Sequence, residues 1–292
     1  MKILPAIATL VLAACQAGAA DNTALCTDVE RVNTLPSPLY EASGIVASRT
    51  HPGIFWVHND SEGTPALYAL DASGGLVAEI EMPGARTQAD WEDIAIGPCA
   101  AGDCIYIGDI GDNLHDRTDR AILRLAEPGP TDDAAVHRVE RFPVRYPDGP
   151  RDAEAMFVLP DTTLFIITKG REGSVTLFRY PPPFRENEPV TLEPLQELTP
   201  GLVQLPDLIT GADALADGSI VAVRSYSHIQ LYRVEGDTLA PVWPGSGFDL
   251  AELAEPQGEG ITLLPDGTVY LVSETGPFRD APPFSRLRCT LP

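Results

Sequence analysis

Residues 90–113, DWEDIAIGPCAAGDCIYIGDIGDN, form the stretch that decides the fold. Two apolar runs, IAI and CIYI, lie on either side of the turn-like PCAAGD, and acidic residues lie at the far end of both runs. Gly and Asp supply the backbone conformations that tight hairpin turns need. The stretch therefore predicts a β-hairpin whose open end carries all of its carboxylates except Asp103, which lies in the turn.

The first part of this stretch recurs along the chain. An acidic or small residue precedes an apolar strand in five phrases: EASGIVAS from 41, DWEDIAIG from 90, DAEAMFVL from 152, TGADALAD from 210 and QGEGITLL from 257. Alignment on the apolar residues without gaps gives one equivalent position in the five phrases: Ser43, Glu92, Glu154, Asp213 and Glu259. The repeat length of roughly 50 residues is typical of a propeller blade.

Each phrase is followed by a turn and then by further β-rich runs, with no amphipathic helical pattern. Four strands per repeat predict an all-β fold, a β-propeller of five four-stranded blades. The alternative is a sixth, degenerate blade within the Pro-rich residues 181–208.

The two ends of the chain predict how the ring closes. The fifth unit lacks a fourth strand, whereas residues 26–35 belong to no unit, so we expect this N-terminal strand to join the last blade. Residues 26–292 would then form a single propeller domain. Closure places Cys26 beside Cys289, which favours the disulfides Cys26–Cys289 and Cys99–Cys104 among the three pairings of these four cysteines. A zinc site is the alternative use of the cysteines.

Residues 1–20 have the features of a signal peptide, with Lys2 before a short apolar run. The sequence Leu12-Ala13-Ala14-Cys15 is similar to a lipobox, which would leave a lipid anchor on Cys15. The competing A-x-A site at 17–19 would release the protein. Both alternatives predict export, to the periplasm or envelope as a lipoprotein, or as a secreted protein.

The formal net charge of -22 bears on partners. Nucleic acids and anionic membrane surfaces repel such a protein, so neither is expected as a partner, and a membrane would be reached only through the lipid anchor. We expect a monomer that acts on a small molecule or a polymer.

Strand direction predicts where the acids meet. In a blade the segment entering the first strand and the segment leaving the second lie on the same rim of the channel, so the repeated acids and GDIGDN converge there. Such a rim offers only oxygen ligands, which suit Ca²⁺ or another divalent cation. The candidate ligands are Glu41, Glu92, Asp93, Asp109, Glu154, Asp213 and Glu259. Alternatively, the repeated acids accept backbone hydrogen bonds from the next blade.

Candidate catalytic residues follow from the same rim: Glu92, Asp109, His58, Lys169 and Arg224. A bound cation would activate water and polarise a phosphoryl or carbonyl oxygen, with Glu92 and Asp109 as acids at the site. Lys169 and Arg224 would hold an anionic group of the substrate, unless they form plain ion pairs. His58 would be a general base, unless it is a hydrogen-bonded structural residue.

Several phrases carry a resemblance, among them SGIVAS, WVHNDS, DWEDIAIGP, YIGDIGDN and QGEGITLLPDG. The chain resembles a group of exported bacterial propellers and is more distantly similar to phytase-like and gluconolactonase-type propellers. The resemblance implies divalent cations at the channel mouth and hydrolysis of a phosphate ester or lactone. By position it implies these metal-facing residues: Glu41, Glu92, Glu154, Asp213 and Glu259. The chain departs from those families in its five blades, in Ser43 and in lacking a basic cluster.

Two further hypotheses belong to other classes. Two carboxylates across the rim would suit a metal-free glycoside hydrolase. A non-catalytic envelope propeller that binds a partner on its rim would use the same acids only for structural hydrogen bonds.

Overall fold

The computed structural model describes residues 25–61, 63–85, 90–131, 138–276 and 281–292. The predicted signal peptide and Cys15 lie outside the described residues. Within these ranges the chain is all-β, with 3-10 turns at Pro83–Ala85 and Ala251–Leu253. None of the described segments is a helix long and apolar enough to span a membrane.

The strands follow one another in chain order. They are β1 (Cys26–Thr34), β2 (Ala42–Ala47), β3 (Ile54–Asn59), β4 (Ala66–Asp71), β5 (Leu76–Glu81), β6 (Trp91–Cys99), β7 (Gly102–Asp109), β8 (Ala121–Ala126), β9 (Glu140–Arg145), β10 (Ala153–Val158) and β11 (Leu164–Thr168). They continue as β12 (Val175–Arg179), β13 (Val190–Thr191), β14 (Glu193–Thr199), β15 (Ile209–Ala214), β16 (Ile220–Ser225), β17 (His228–Glu235), β18 (Thr238–Pro241), β19 (Phe248–Asp249), β20 (Gln257–Leu263), β21 (Thr268–Glu274) and β22 (Pro283–Cys289).

These strands build five four-stranded antiparallel blades. From inner to outer strand the blades are β2-β3-β4-β5, β6-β7-β8-β9, β10-β11-β12-β14, β15-β16-β17-β18 and β20-β21-β22-β1. The predicted five-bladed propeller is confirmed. We number the blades one to five in this order.

Ring closure also follows the prediction. Strand β1 pairs antiparallel with β22 and places Cys26 directly opposite Cys289. These two cysteines form a disulfide, and Cys99 forms the second with Cys104 across the β6–β7 turn. Both predicted disulfides are confirmed, and the N-terminal strand is the outer strand of blade five.

The Pro-rich residues 181–208 do not form a blade. They supply β14, the outer strand of blade three, and the two-residue β13, which pairs in parallel with β9 of blade two. The weak strand pattern of this segment reflects its edge position, because outer strands such as β14 are half exposed. The sixth-blade alternative is therefore excluded.

The hydrophobic core lies between neighbouring blades. Inner strands such as β10 are buried along their whole length, which explains why they are nearly continuous apolar runs. Large side chains, including Trp56, Phe157 and Phe178, are almost fully removed from solvent between the sheets. Burial of this apolar surface is the main favourable contribution to folding and holds the blades in a rigid ring.

Candidate functional site

Every inner strand carries a register irregularity at its N-terminal end, on one face of the ring. In blade two, for example, Trp91 pairs with Asp109 and Asp93 pairs with Gly108, so Glu92 is the bulged residue. The equivalent residues of the five blades are Ser43, Glu92, Glu154, Thr210 and Glu259. A bulge re-aims the side chain that it carries, and here it directs three glutamates toward the channel mouth.

The sequence alignment was wrong in blade four. Thr210, and not Asp213, is the bulged residue there, because the irregularity lies between Ile209 and Gly211. Hydrogen bonds agree with this register. Ser43 Oγ donates to the carbonyl of Glu92, and Thr210 Oγ1 donates to the carbonyl of Glu259, so both hydroxyls bind the bulged residue of a neighbouring blade.

Asp213 lies deeper, where it joins blade four to blade five. Its Oδ2 accepts hydrogen bonds from Thr262 Oγ1 at 2.7 Å and from the N–H of Leu263 at 2.9 Å. Burial raises the pKa of Asp213 to about 6 in spite of these bonds. These contacts favour the structural alternative for Asp213 over metal ligation.

Asp93 fills the channel beneath the bulged residues. Three of the other blades have a glycine at this level and blade three has Ala155; a Cβ on Gly211 would lie 2.7 Å from the carbonyl of Glu259. The Asp93 carboxylate instead accepts the N–H groups of Ile94, Met156 and Ala212 at 2.7–3.0 Å. Burial nevertheless raises the pKa of Asp93 well above its usual value. Its lone pairs are thus committed to backbone groups of three blades, which favours a structural role.

The candidate functional site is the acidic cup, which we define as the carboxylates that face one another above Asp93, together with the Lys169 ammonium. The carboxylates are Asp60, Asp90, Glu92, Asp152, Glu154, Glu259 and Glu274. Oxygens of Asp60, Asp90 and Glu92 lie within 4.8 Å of one another. Oxygens of Glu92, Asp152 and Glu154 form a second group at the same spacing.

The electrostatics of the cup disfavour ionised carboxylates. Burial and then the charge of Asp90 raise the pKa of Asp60 to about 8. Burial and then the charge of Glu259 raise the pKa of Glu274 to about 9. Burial also raises the pKa of Glu259 to about 7 and that of Glu92 well above its usual value. A bound cation would remove this penalty, because it favours the charged form of each neighbour.

Glu41 lies at the edge of the cup. Its charge raises the pKa of both Asp60 and Glu274, and its carbonyl accepts the N–H of Asp60 at 2.8 Å. The structure thus brings together four of the predicted ligands: Glu41, Glu92, Glu154 and Glu259.

Asp109, predicted as both a ligand and a catalytic residue, is paired with arginines instead. Arg117 donates to Asp109 Oδ1 at 2.6 Å, and Arg141 lies 3.6 Å from Oδ2. Asp112 pairs in the same way with Arg120. The sequence carries a signal that we missed, because Arg117 and Arg120 each follow their partner by eight residues.

Two other predicted catalytic residues are enclosed. The Arg224 side chain is fully buried and donates to Glu255 at 2.7 Å and to the carbonyl of Gly260 at 3.1 Å. His58 is fully buried edge-on to Trp91, with Nδ1 2.9 Å from the carbonyl of Asn59. Burial lowers the pKa of His58 to about 4, so its ring is neutral near pH 7. These contacts support the plain ion pair and the structural histidine.

Room for the cup depends on Gly111, in the loop after β7. A Cβ at this position would lie 1.9 Å from Glu92 Oε1 and 2.6 Å from Asp90 Oδ2. The carboxylates therefore rest directly on the backbone of this loop. Arg117 forms the outer wall, with Nη1 3.8 Å from Asp90 Oδ2.

The fold and cup define the class: a five-bladed β-propeller with a buried acidic site at one channel mouth. No family model matches the chain, and no curated protein matches its sequence.

Two solved aldose sugar dehydrogenases share the fold. The PQQ-bound aldose sugar dehydrogenase from Streptomyces coelicolor is 12% identical, with a TM-score of 0.54 over 90% of this chain and 98% of that one. The aldose sugar dehydrogenase from Escherichia coli is 12% identical, with a TM-score of 0.51 over 90% and 100%. A gluconolactonase from Xanthomonas campestris is 9% identical, with a TM-score of 0.49 over 94% of each chain. At these identities the likeness concerns the fold alone.

Proposed function

We propose that the protein is a cation-dependent hydrolase that opens a lactone in the acidic cup. The observation that carries this proposal is the convergence of Asp60, Asp90 and Glu92, whose oxygens lie within 4.8 Å of one another in a partly buried setting. Carboxylate oxygens are hard ligands that suit Ca²⁺, and Mg²⁺ or Mn²⁺ are alternatives.

The residues present fit a cation. Asp60 Oδ1 is buried and has no hydrogen-bond partner among the described residues. A buried carboxylate oxygen without a partner is costly, so such atoms commonly serve a ligand or an ion. Gly111 lets the Asp90 and Glu92 oxygens approach the loop backbone closely, which brings the two carboxylates together. The cation would polarise the carbonyl oxygen of a bound substrate.

The charge of the cup favours a lactone over a phosphate ester. Among the described cup residues, Lys169 supplies the buried positive charge, and its ammonium is already paired with Glu154. A phosphate ester would bring further negative charge against several carboxylates. A lactone is neutral until the transition state, when a cation can stabilise the developing oxyanion.

Glu259 is suited to move the proton. Its pKa of about 7, raised by burial, lies where a general base is most effective near neutral pH. Gln257 Nε2 donates to Glu259 Oε1 at 2.9 Å and holds the carboxylate in place. Glu259 would take a proton from water as the water oxygen attacks the ring carbonyl carbon. The ring C–O bond then breaks, and the proton returns to the departing alkoxide oxygen to give a hydroxy acid.

We also propose that the protein works outside the cytoplasm, in the periplasm or on the envelope. The two disulfides support this placement, because such bonds persist in oxidising compartments. Mass spectrometry of the mature N-terminus would distinguish a lipidated Cys15 from release at the A-x-A site.

Metal analysis and hydrolysis assays test the enzymatic proposal together. We expect purified protein to retain a divalent cation, to melt at a lower temperature after chelation and to hydrolyse aliphatic lactones in a pH-stat assay only with the cation. Metal-free protein whose melting is unchanged by chelator would overturn the proposal. Cleavage of sugar polymers that is insensitive to chelator would instead establish the glycoside hydrolase alternative. Tight binding of an envelope partner without hydrolysis would establish the scaffold alternative.

A further inference from the structure

The acidic cup contains two groups of carboxylates that share Glu92. One group adds Asp60 and Asp90, and the other adds Asp152 and Glu154. Paired groups joined by one carboxylate resemble the ligand sets of two-metal sites, in which the ions lie about 3.5–4 Å apart. The question is whether both positions accept a metal ion.

The second group is buried and incompletely satisfied. Asp152 is fully buried, and its Oδ1 accepts the N–H of Asp112 at 2.9 Å. Its Oδ2 has no hydrogen-bond partner within the described ranges, and the nearest ion-pair partner is Arg171 Nη1 at 3.9 Å. Carboxylates in such a setting need a positive charge close by.

Lys169 supplies this charge from a fixed position. Its N–H donates to the carbonyl of Asp152 at 3.0 Å, and its carbonyl accepts the N–H of Ile209 at 3.1 Å. The buried Nζ contacts Glu154 and lies 6.0 Å from the ring centre of Tyr226. The ammonium also opposes the rise in pKa of three glutamates: Glu92, Glu259 and Glu274.

The choice of lysine is itself informative. Apart from Lys2, Lys169 is the only lysine of the chain, and the other 18 of its 20 Lys and Arg residues are arginines. An ammonium is a compact point charge with three donors, whereas guanidinium is a wide planar fork. Of the two side chains, only the ammonium has roughly the size of a metal ion, so lysine is the basic residue suited to a carboxylate group of this size.

We infer that Lys169 occupies the second cation position of the cup as a tethered ammonium. The wild-type protein then binds at most the one divalent metal ion of the first position, and replacing Lys169 by a neutral residue opens a second metal site. The first position rests on the proposed function, whereas the second rests only on the contacts of Lys169, Asp152 and Glu154. The ammonium excludes a metal there by occupying the space and by charge repulsion.

The test counts cations in folded protein. Equilibrium dialysis with Ca²⁺ or Mn²⁺, followed by elemental analysis, would give one ion per wild-type chain and two per Lys169→Met chain. Adding Asp152→Asn to Lys169→Met would return the count to one. Near-ultraviolet circular dichroism verifies the fold of each variant, and Lys169→Gln provides a second neutral side chain if Lys169→Met does not fold.

Each outcome decides between the two proposals. Two ions in the wild type, or an unchanged count in a folded Lys169 variant, would overturn the inference. No ion in the wild type and one in Lys169→Met would support the inference and overturn the proposed metal position. If neither variant folds, the Mn²⁺ spectrum of the wild type decides, because a spin-coupled pair contradicts a tethered ammonium and a single ion supports it.

Discussion

On the face opposite the cup, Asp71, Asp217 and Asp266 each begin a hairpin turn and accept the N–H of the residue two positions later. Hydrogen bonds hold the pKa of each carboxyl below its usual range: the hydroxyls of Ser73 and Ser219 contribute most at Asp71 and Asp217, and the N–H of Thr268 contributes most at Asp266. In the cup, burial and neighbouring carboxylates raise the pKa of Asp60 to about 8 and that of Glu274 to about 9.

The same side chain therefore has two uses in one molecule. An aspartate that caps a solvated turn is stabilised as an anion, and the turn is stabilised with it. A carboxylate that is buried among other acids is not stabilised as an anion, so it favours binding of a proton or a cation. The end of the strand at which an acid lies decides between these two uses. Consecutive strands of a blade run in opposite directions, so their ends alternate between the cup face and the opposite face of the ring.

Asp93→Ala should cause the largest loss of stability. The substitution leaves the buried N–H groups of Met156 and Ala212 without an acceptor, and each orphaned donor costs about 1–3 kcal/mol. We expect the free energy of unfolding in urea to fall by about 2–6 kcal/mol. The matched change Asp217→Ala, at a solvated turn, should cost about 1 kcal/mol or less. A loss for Asp93→Ala as small as that of the turn variant would show that water already reaches the channel.

Glu92→Gln should have the largest effect on cation binding, because Glu92 belongs to both carboxylate groups. We expect calorimetry to show cation affinity reduced by at least about 100-fold, the upper end of what even supporting residues contribute. Lactone hydrolysis should fall in parallel. Asp217→Asn, a charge-neutralising change on the opposite face, is the control and should leave the affinity unchanged. Equal effects of both variants would mean that net charge, and not the cup, attracts the cation.

Much of the fold was predictable because it follows from local patterns. The apolar runs and turn residues predicted the strands. Residues 26–35, which belong to no repeat unit, predicted the ring closure, and the Cys26–Cys289 disulfide links the two strands that close the ring. The exception was blade four. Blade four has the small Ala212 where blade two has Ile94, so an alignment on the next apolar residues, Ala214 and Leu215, placed Asp213 where Thr210 lies, three residues earlier.

The site was less predictable, because partners decide what an acid does. The position of Asp109 at the end of its strand correctly predicted the face on which it lies. Its pairing with Arg117 and Arg141 was not predictable, because it depends on how separate segments of the chain pack together. Conversely, Asp60 and Asp152 were predicted to lie on the rim, but nothing in the sequence marked them as candidate ligands. Each proves to have a buried oxygen without a hydrogen-bond partner among the described residues, which only the packed structure reveals.

Gly111→Ala should weaken the site without changing any charge. Its Cβ would lie 1.9 Å from Glu92 Oε1, so the carboxylates must move. We expect about a tenfold lower cation affinity by calorimetry, in the range seen when groups supporting a metal site are displaced. Gly173→Ala is the matched control, because the nearest atom to its Cβ would be 3.8 Å away. Unaltered binding by Gly111→Ala would mean that the cation does not contact Glu92.

The smallest effect concerns pH. Asp60 and Glu274 have higher pKa values in the folded than in the unfolded protein, so the folded state binds more protons. Their contribution to stability is complete below about pH 4 and is lost as the pH rises through about 8 and 9. His58, with its pKa lowered to about 4, acts in the opposite direction only below about pH 6.5. The turn aspartates are ionised in both states above pH 5.

Between pH 7 and pH 9 the cup should therefore dominate the slope. Without cation we expect the melting temperature to fall by several degrees, because each of the two carboxyls that loses its folded-state proton in this range costs up to about 1.4 kcal/mol per pH unit. Saturating Ca²⁺ should flatten this dependence, because the cation replaces the protons. Glu274→Gln should reduce the slope in the absence of cation. A flat profile without cation would contradict the contrast between the faces, because the cup acids would then titrate like those of the solvated turns.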